Sequence, residues 1–188
     1  MKRFFRHHAT LWMLIGFCLL LGLFLSLRTG IFFTGRNLIN ILEANSFKLL
    51  LAIGMTFVIA SGGIDLSVGS ILSLSAIFTA LCMKQNIPVW LAILVGLLSG
   101  ILMGLINGAL IHFTGINAFI ITLGTSFLYR GLALIVTRGT PVSKLPAAYR
   151  AFGGRDIFQV ESGVYMALLV LLLSIPLLYK MRWGHYIT

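Results

Sequence analysis

The sequence predicts an all-α protein: a polytopic bundle of transmembrane helices, about six spans, forming one membrane domain over residues 1–188. Three observations carry this. Hydrophobic residues make up 59% of the 188-residue chain and charged residues 10%, where a soluble domain carries about a quarter charged residues. Mean hydropathy is +1.04, too apolar for a wettable surface. The apolar residues also gather into runs close to the about 20 residues that a helix needs to cross a bilayer.

The segment from Met1 to His8 is basic, and an apolar run follows from Ala9 to Leu27. A signal peptide begins in the same way. This run is longer than a signal core and ends in Leu25-Ser-Leu-Arg28, which offers no small-x-small cleavage site. It is expected to be a retained first span. Residues 28–46 are mixed, and Leu38–Leu42 is expected to lie along the interface as a short amphipathic turn. A second span, Phe47 to Ser61, is short for a crossing. Ser61-Gly-Gly-Ile-Asp65 then breaks the apolar run, and a third span continues to Met83. Lys84-Gln-Asn86 with Pro88 forms a tight polar turn. Spans four (Val89 to Ile111) and five (Ala118 to Val136) flank a short connection. Residues 137–162 are the longest polar stretch, and a sixth span, Val164 to Tyr179, contains Pro176.

The formal charge is +10, from 14 Lys and Arg against four acids. The cations are scattered singly between apolar runs and form no basic stripe, so nucleic acid is not an expected partner. They fit the ends of spans in a lipid bilayer. With six crossings, the dense charge of the first flank favours a cytoplasmic N-terminus, because the first helix usually dominates, although a count over all the loops favours the opposite. Cys18 and Cys82 sit inside apolar runs without metal or disulfide spacing. No metal site is expected.

Four features could carry function. Ala92, Gly96, Gly100, Gly104 and Gly108 recur every four residues, on one face of a helix. Small residues at this spacing let helix backbones approach closely in lipid, either as a fixed packing seam or as a moving one. In Ser61-Gly-Gly-Ile-Asp-Leu-Ser-Val-Gly-Ser70, the pair Gly62 and Gly63 can break a helix, and Asp65, Ser67 and Ser70 can serve the next helix start. Irregular polar backbone in a span is tolerated where it is buried or lines a cavity, so Asp65 is either an interfacial cap or a pathway residue. Arg130 in span five either holds structure, by snorkelling or bonding carbonyls, or faces the bundle interior, where Asp65 is a possible partner. Asn107 and Asn117 flank the connection between spans four and five, as helix-end residues or pore-lining ones. No Walker loop, dinucleotide fingerprint, nucleophile elbow or zinc-protease motif is present, so an enzyme is not expected. Energy for uphill transport would come from an ion gradient or a separate ATPase.

The run Gly54-Met-Thr-Phe-Val-Ile-Ala-Ser-Gly-Gly-Ile-Asp-Leu-Ser-Val-Gly-Ser70 resembles the signature of bacterial sugar ABC importer permeases of the ribose type. Gly104-Leu-Ile-Asn-Gly108, Phe119-Ile-Ile-Thr-Leu-Gly-Thr125 and Tyr129-Arg-Gly-Leu-Ala133 match in the same order. The resemblance implies a permease of the bacterial inner membrane working by alternating access, with no cofactor of its own. It implies cytoplasmic ATP-binding subunits, a periplasmic sugar-binding protein, and a second permease copy in a homo- or heterodimer. Gly62, Gly63, Asp65, Ser67, Asn107, Asn117, Thr122, Thr125 and Arg130 become candidates for the translocation pathway or its gates. Arg138, Arg150 and Arg155 become candidates for docking the binding protein, with residues 137–162 on the periplasmic side. Family topology also supports the cytoplasmic N-terminus. Trp183-Gly-His-Tyr-Ile-Thr188 resembles the segment before the family's coupling loop, so the chain is expected to be the N-terminal part of a longer permease, or a truncated and non-transporting product. A related permease for an amino acid or an autoinducer sugar is the other alternative.

Overall fold

The computed structural model describes residues 9–149, 156–157 and 160–179. Its long helices, among the described residues, are α1 (Ala9–Thr29), α2 (Gly35–Ala60), α3 (Val68–Lys84), α4 (Val89–Thr114), α5 (Ala118–Thr137) and α6 (Ser162–Tyr179). A two-residue hairpin, β1 (Asp156–Ile157) and β2 (Val160–Glu161), pairs antiparallel before α6. Four helices, α1, α2, α4 and α5, are long and apolar enough to cross a membrane; α3 and α6 are shorter apolar helices. At 1.5 Å per residue, the 17 residues of α3 reach about 26 Å, against an apolar core of about 30 Å.

The chain divides into two compact units, Met1–Asn45 and Ser46–Thr188. In the first, α1 ends at Gly30, whose N–H donates to Ser26 O at 2.8 Å. The rings of Phe32 and Phe33 stand edge to face beside Gly22, where an added Cβ would lie 3.1 Å from Phe32 and 3.3 Å from Phe33. Asn37 Nδ2 donates to Phe32 O at 2.8 Å and fixes the entry to α2.

That entry corrects one expectation. The interfacial turn at Leu38–Leu42 and the short second span are parts of one 26-residue helix. No proline or glycine interrupts the chain from Arg36 to Ile53, and scattered charges do not break a helix as those residues do. Asn45 Nδ2 also donates back to Ile41 O at 2.7 Å, within the helix.

In the second unit, α3 packs most extensively on α4 and next on α5. The core is Leu74, Met103, Tyr129 and Ala133, with Ile71, Ile77 and Phe78 against it. At the α3–α4 crossing, Ala92 is fully buried. A Cβ on Gly96 would collide with Thr79 Oγ1 and lie 3.2 Å from Ser75 O. A Cβ on Gly100 would stand 3.2 Å from Ser75 Oγ. This is the close approach that small residues allow between helices in lipid. Among the described residues the first three of the five meet α3 and the last two do not. Gly104 and Gly108 are exposed, and nothing lies within 4 Å of a Cβ at either. The contact with α3 drifts around α4 to Met103 and Asn107, both buried, because positions four apart turn through about 400°, so a row of every fourth residue winds around the helix.

Candidate functional site

The break between α2 and α3 is built from its sequence step by step. Gly63 N–H donates to Val58 O and Gly62 N–H to Ile59 O, both at 3.0 Å. These two bonds form a Schellman stop. It requires a left-handed residue at Gly62, whose φ is +81°, a region nearly closed to side chains other than glycine's. Ile64–Leu66 then run without helical bonds. Two of their backbone groups meet α5: Leu66 N–H donates to Thr122 Oγ1 at 3.1 Å, and that hydroxyl, which donates to Ala118 O at 2.8 Å, stands 3.2 Å from Ile64 O. Irregular backbone between spans is stable only when its polar groups find such partners.

Of the three residues expected to serve the start of α3, Asp65 does so. Its Oδ1 accepts from Ser67 N at 2.7 Å and from Ser67 Oγ at 2.6 Å. Ser67 occupies the cap position without capping through its own side chain, and Ser70 Oγ donates back to Ser67 O. Ser67 is fully buried. Its Oγ accepts from Asn107 Nδ2 at 2.7 Å. Tyr129 Oη donates to Met103 O at 3.1 Å and lies 3.4 Å from Asn107 Oδ1. A buried polar relay thus runs from α5 through α4 to the carboxylate at the break.

Beside it lies a cavity of about 490 Å³, lined by the break, by α4 and by the α4–α5 connection. Six of the nine candidate pathway residues line it: Gly62, Gly63, Asp65, Asn107, Asn117 and Thr122. Gly104 and Gly108, expected on the packing ridge, line it as well. Asn117 is exposed and caps α5, accepting from Phe119 N at 2.9 Å. Ser67 bonds to the site from behind. Thr125 is buried and donates to Thr122 O at 3.3 Å. Arg130 is exposed, off the buried stripe of α5 that carries Thr122, Thr125, Tyr129 and Ala133. Arg138 is exposed and ends α5 in a left-handed conformation, φ 53°. Arg150 and Arg155 lie outside the described residues. Among the described residues no group of His, Cys, Asp and Glu could hold a metal.

Tyr129 is the member of the relay that the sequence reading passed over. Its signal was present: 122, 125 and 129 follow helical spacing, so the tyrosine shares a face with the two threonines.

Residues 37–188 match the family model described as the permease component of the branched-chain amino acid transport system. The chain belongs to this family. Within the permease family it is 34% identical over 170 residues to the D-allose transport system permease protein of Escherichia coli strain K12, covering 90% of this chain and 52% of that one. It is 41% identical over 112 residues to the ribose import permease protein of Haemophilus influenzae, covering 60% and 35%. It is 35% identical over 144 residues to the autoinducer 2 import system permease protein of Klebsiella pneumoniae, covering 73% and 43%. The chain therefore spans about half, or less, of the length of the curated relatives it matches. No solved structure matches it. Family membership and four long apolar helices make it a multi-pass membrane protein.

Proposed function

We propose that this chain is a membrane-spanning permease subunit of an ATP-driven importer for a small sugar. It would work by alternating access in the bacterial inner membrane, with no covalent chemistry on its substrate. ATP would be bound and hydrolysed on a separate cytoplasmic subunit. A periplasmic binding protein would deliver the sugar, with Arg138, Arg150 and Arg155 as docking cations. A second permease copy would complete the pathway. Six crossings with a cytoplasmic N-terminus fit this reading, α3 and α6 being the short ones.

The observation that carries the proposal is the cavity at the break, in a chain whose relatives are named as D-allose, ribose and autoinducer 2 permeases. Its polar lining of Asp65, Asn107, Asn117 and Thr122 offers donors and acceptors to hydroxyl groups. The family description favours a second substrate class, the branched-chain amino acids. Asp65 is the one charged residue among those lining the cavity; it would attract the ammonium of an amino acid and repel its carboxylate, so the preference for a sugar rests on the relatives named for D-allose, ribose and autoinducer 2.

The test is uptake of labelled D-ribose and D-allose by cells expressing the importer, with excess leucine as competitor. Uptake of a sugar that leucine leaves unaffected supports the proposal; competition by leucine supports the amino acid reading. Asp65→Asn should lower sugar uptake by about tenfold, the scale of one charge-assisted hydrogen bond, while membrane insertion stays intact. Unchanged uptake would reduce Asp65 to a helix cap.

A further inference from the structure

We infer that Tyr129 is a positioning residue: acting through Asn107 and Ser67, it sets where the Asp65 carboxylate stands and how open the cavity at the break is. The inference rests on the permease reading for its role in transport, and its geometry is independent of that reading.

The hydrogen bonds run in one direction. The Asp65 carboxylate only accepts. Ser67 Oγ must therefore spend its single proton on Asp65 Oδ1, 2.6 Å away. That leaves the hydroxyl as the acceptor for Asn107 Nδ2 at 2.7 Å. With its amide nitrogen committed to Ser67, Asn107 turns its Oδ1 toward Tyr129, whose hydroxyl oxygen stands 3.4 Å from it and 3.1 Å from Met103 O. An Asn107 amide turned the other way would bring Oδ1 against Ser67 Oγ, where it would compete with Asp65 for the serine proton. The Ser67 side therefore sets the orientation of the amide, and Tyr129 holds the side chain in place from the Oδ1 side. Asn107 and Tyr129 are 4% and 3% exposed, and a buried network left partly unsatisfied is costly.

The relay joins three elements at one point. Ser67 precedes α3, Asn107 is on α4 and Tyr129 on α5. A change in the packing of α5 on α4 would thus reach Asp65 without touching it. Tyr129→Phe removes the proton and keeps the ring that packs in the core with Leu74, Met103 and Ala133.

The experiment reads cavity opening through a thiol. Ala118 lines the cavity and is half-buried. Ala118→Cys is placed in a background with Cys18→Ser and Cys82→Ser, in permeabilised membranes, and its labelling rate with a hydrophilic maleimide is measured. Tyr129→Phe should raise that rate about fivefold, the effect of one lost hydrogen bond on a two-state equilibrium. Ser67→Ala should do the same, and the double variant should add nothing, because both act along one relay. Labelling at the parent rate in Tyr129→Phe, or additive effects in the double variant, overturns the inference. If Tyr129→Phe does not insert, Asp65→Ala and Asp65→Asn decide it. The asparagine keeps an acceptor for Ser67 and should label at the parent rate, whereas the alanine should label faster; equal rates overturn it. Sugar uptake is measured in parallel. Coupled labelling without sugar uptake would leave the positioning role standing and remove the permease reading.

Discussion

The two halves of α4 carry the same small-residue spacing and meet different surroundings. From Ala92 to Gly100 the helix lies against α3 so closely that a single added carbon at Gly96 collides with Thr79. From Gly104 to Gly108 the glycines face open space and a cavity, while Asn107, between them, is buried in a polar relay. The difference teaches that a run of small residues specifies only that something approaches the backbone. In one half it is another helix; in the other it is the empty volume that the proposed substrate would use.

The sharpest way to break this comparison is a large side chain in each half. Gly96→Leu should destabilise the protein by about 2–3 kcal/mol, the scale of overpacking, because the blocking atoms include the backbone carbonyl of Ser75 at 3.2 Å. Gly104→Leu should leave the thermal unfolding midpoint in detergent near the parent value. Equal losses at the two sites would mean that the halves do not differ. Pairing Gly96→Ala with Thr79→Ala removes the obstructing hydroxyl and should recover part of the loss.

A smaller effect separates the two asparagines of the cavity. Asn107→Ala strips Ser67 Oγ of its donor at 2.7 Å in a buried setting and should cost about 1–2 kcal/mol. Asn117→Ala removes an exposed helix cap and should cost less, about 0.5–1 kcal/mol. Thermal unfolding of both variants in detergent checks the order. The reverse order would place the structural weight at the end of α5 rather than in the relay.

Much of this arrangement was legible in the sequence, and the gaps have physical causes. Two adjacent glycines followed by an acid and a serine announce a helix stop and a helix start from local rules alone. Local composition also marked Asp65, Asn107 and Asn117, because polar residues beside apolar runs stand out. The register of α4 was not legible. Spacing by four places five residues on one ridge, and which part of that ridge meets α3 depends on the crossing, a tertiary property. Tyr129 was hidden for a related reason: a tyrosine in a span reads equally as an apolar ring, and its hydroxyl matters only once Met103 and Asn107 are across from it. The start of α2 was missed because residues 28–46 read as mixed in polarity, whereas Arg36 and Glu43 stand within a continuous helix.

The finest test replaces Gly104 by alanine. Glycine within a helix is about 1 kcal/mol less favourable than alanine, and a Cβ at Gly104 meets nothing within 4 Å. Gly104→Ala should therefore leave stability unchanged or raise it by up to about 1 kcal/mol. The same change at Gly96 should lower it, because there the new carbon meets Thr79 and the Ser75 backbone. Opposite signs from one substitution on one helix are difficult to obtain unless the two halves face different media. If the cavity is the pathway, Gly104→Ala should also reduce sugar uptake while the protein is at least as stable, since the added methyl takes up volume beside Asn107 and Gly108. A gain in stability with full uptake would leave the glycine as mere helix weakness and move the pathway away from this face of α4.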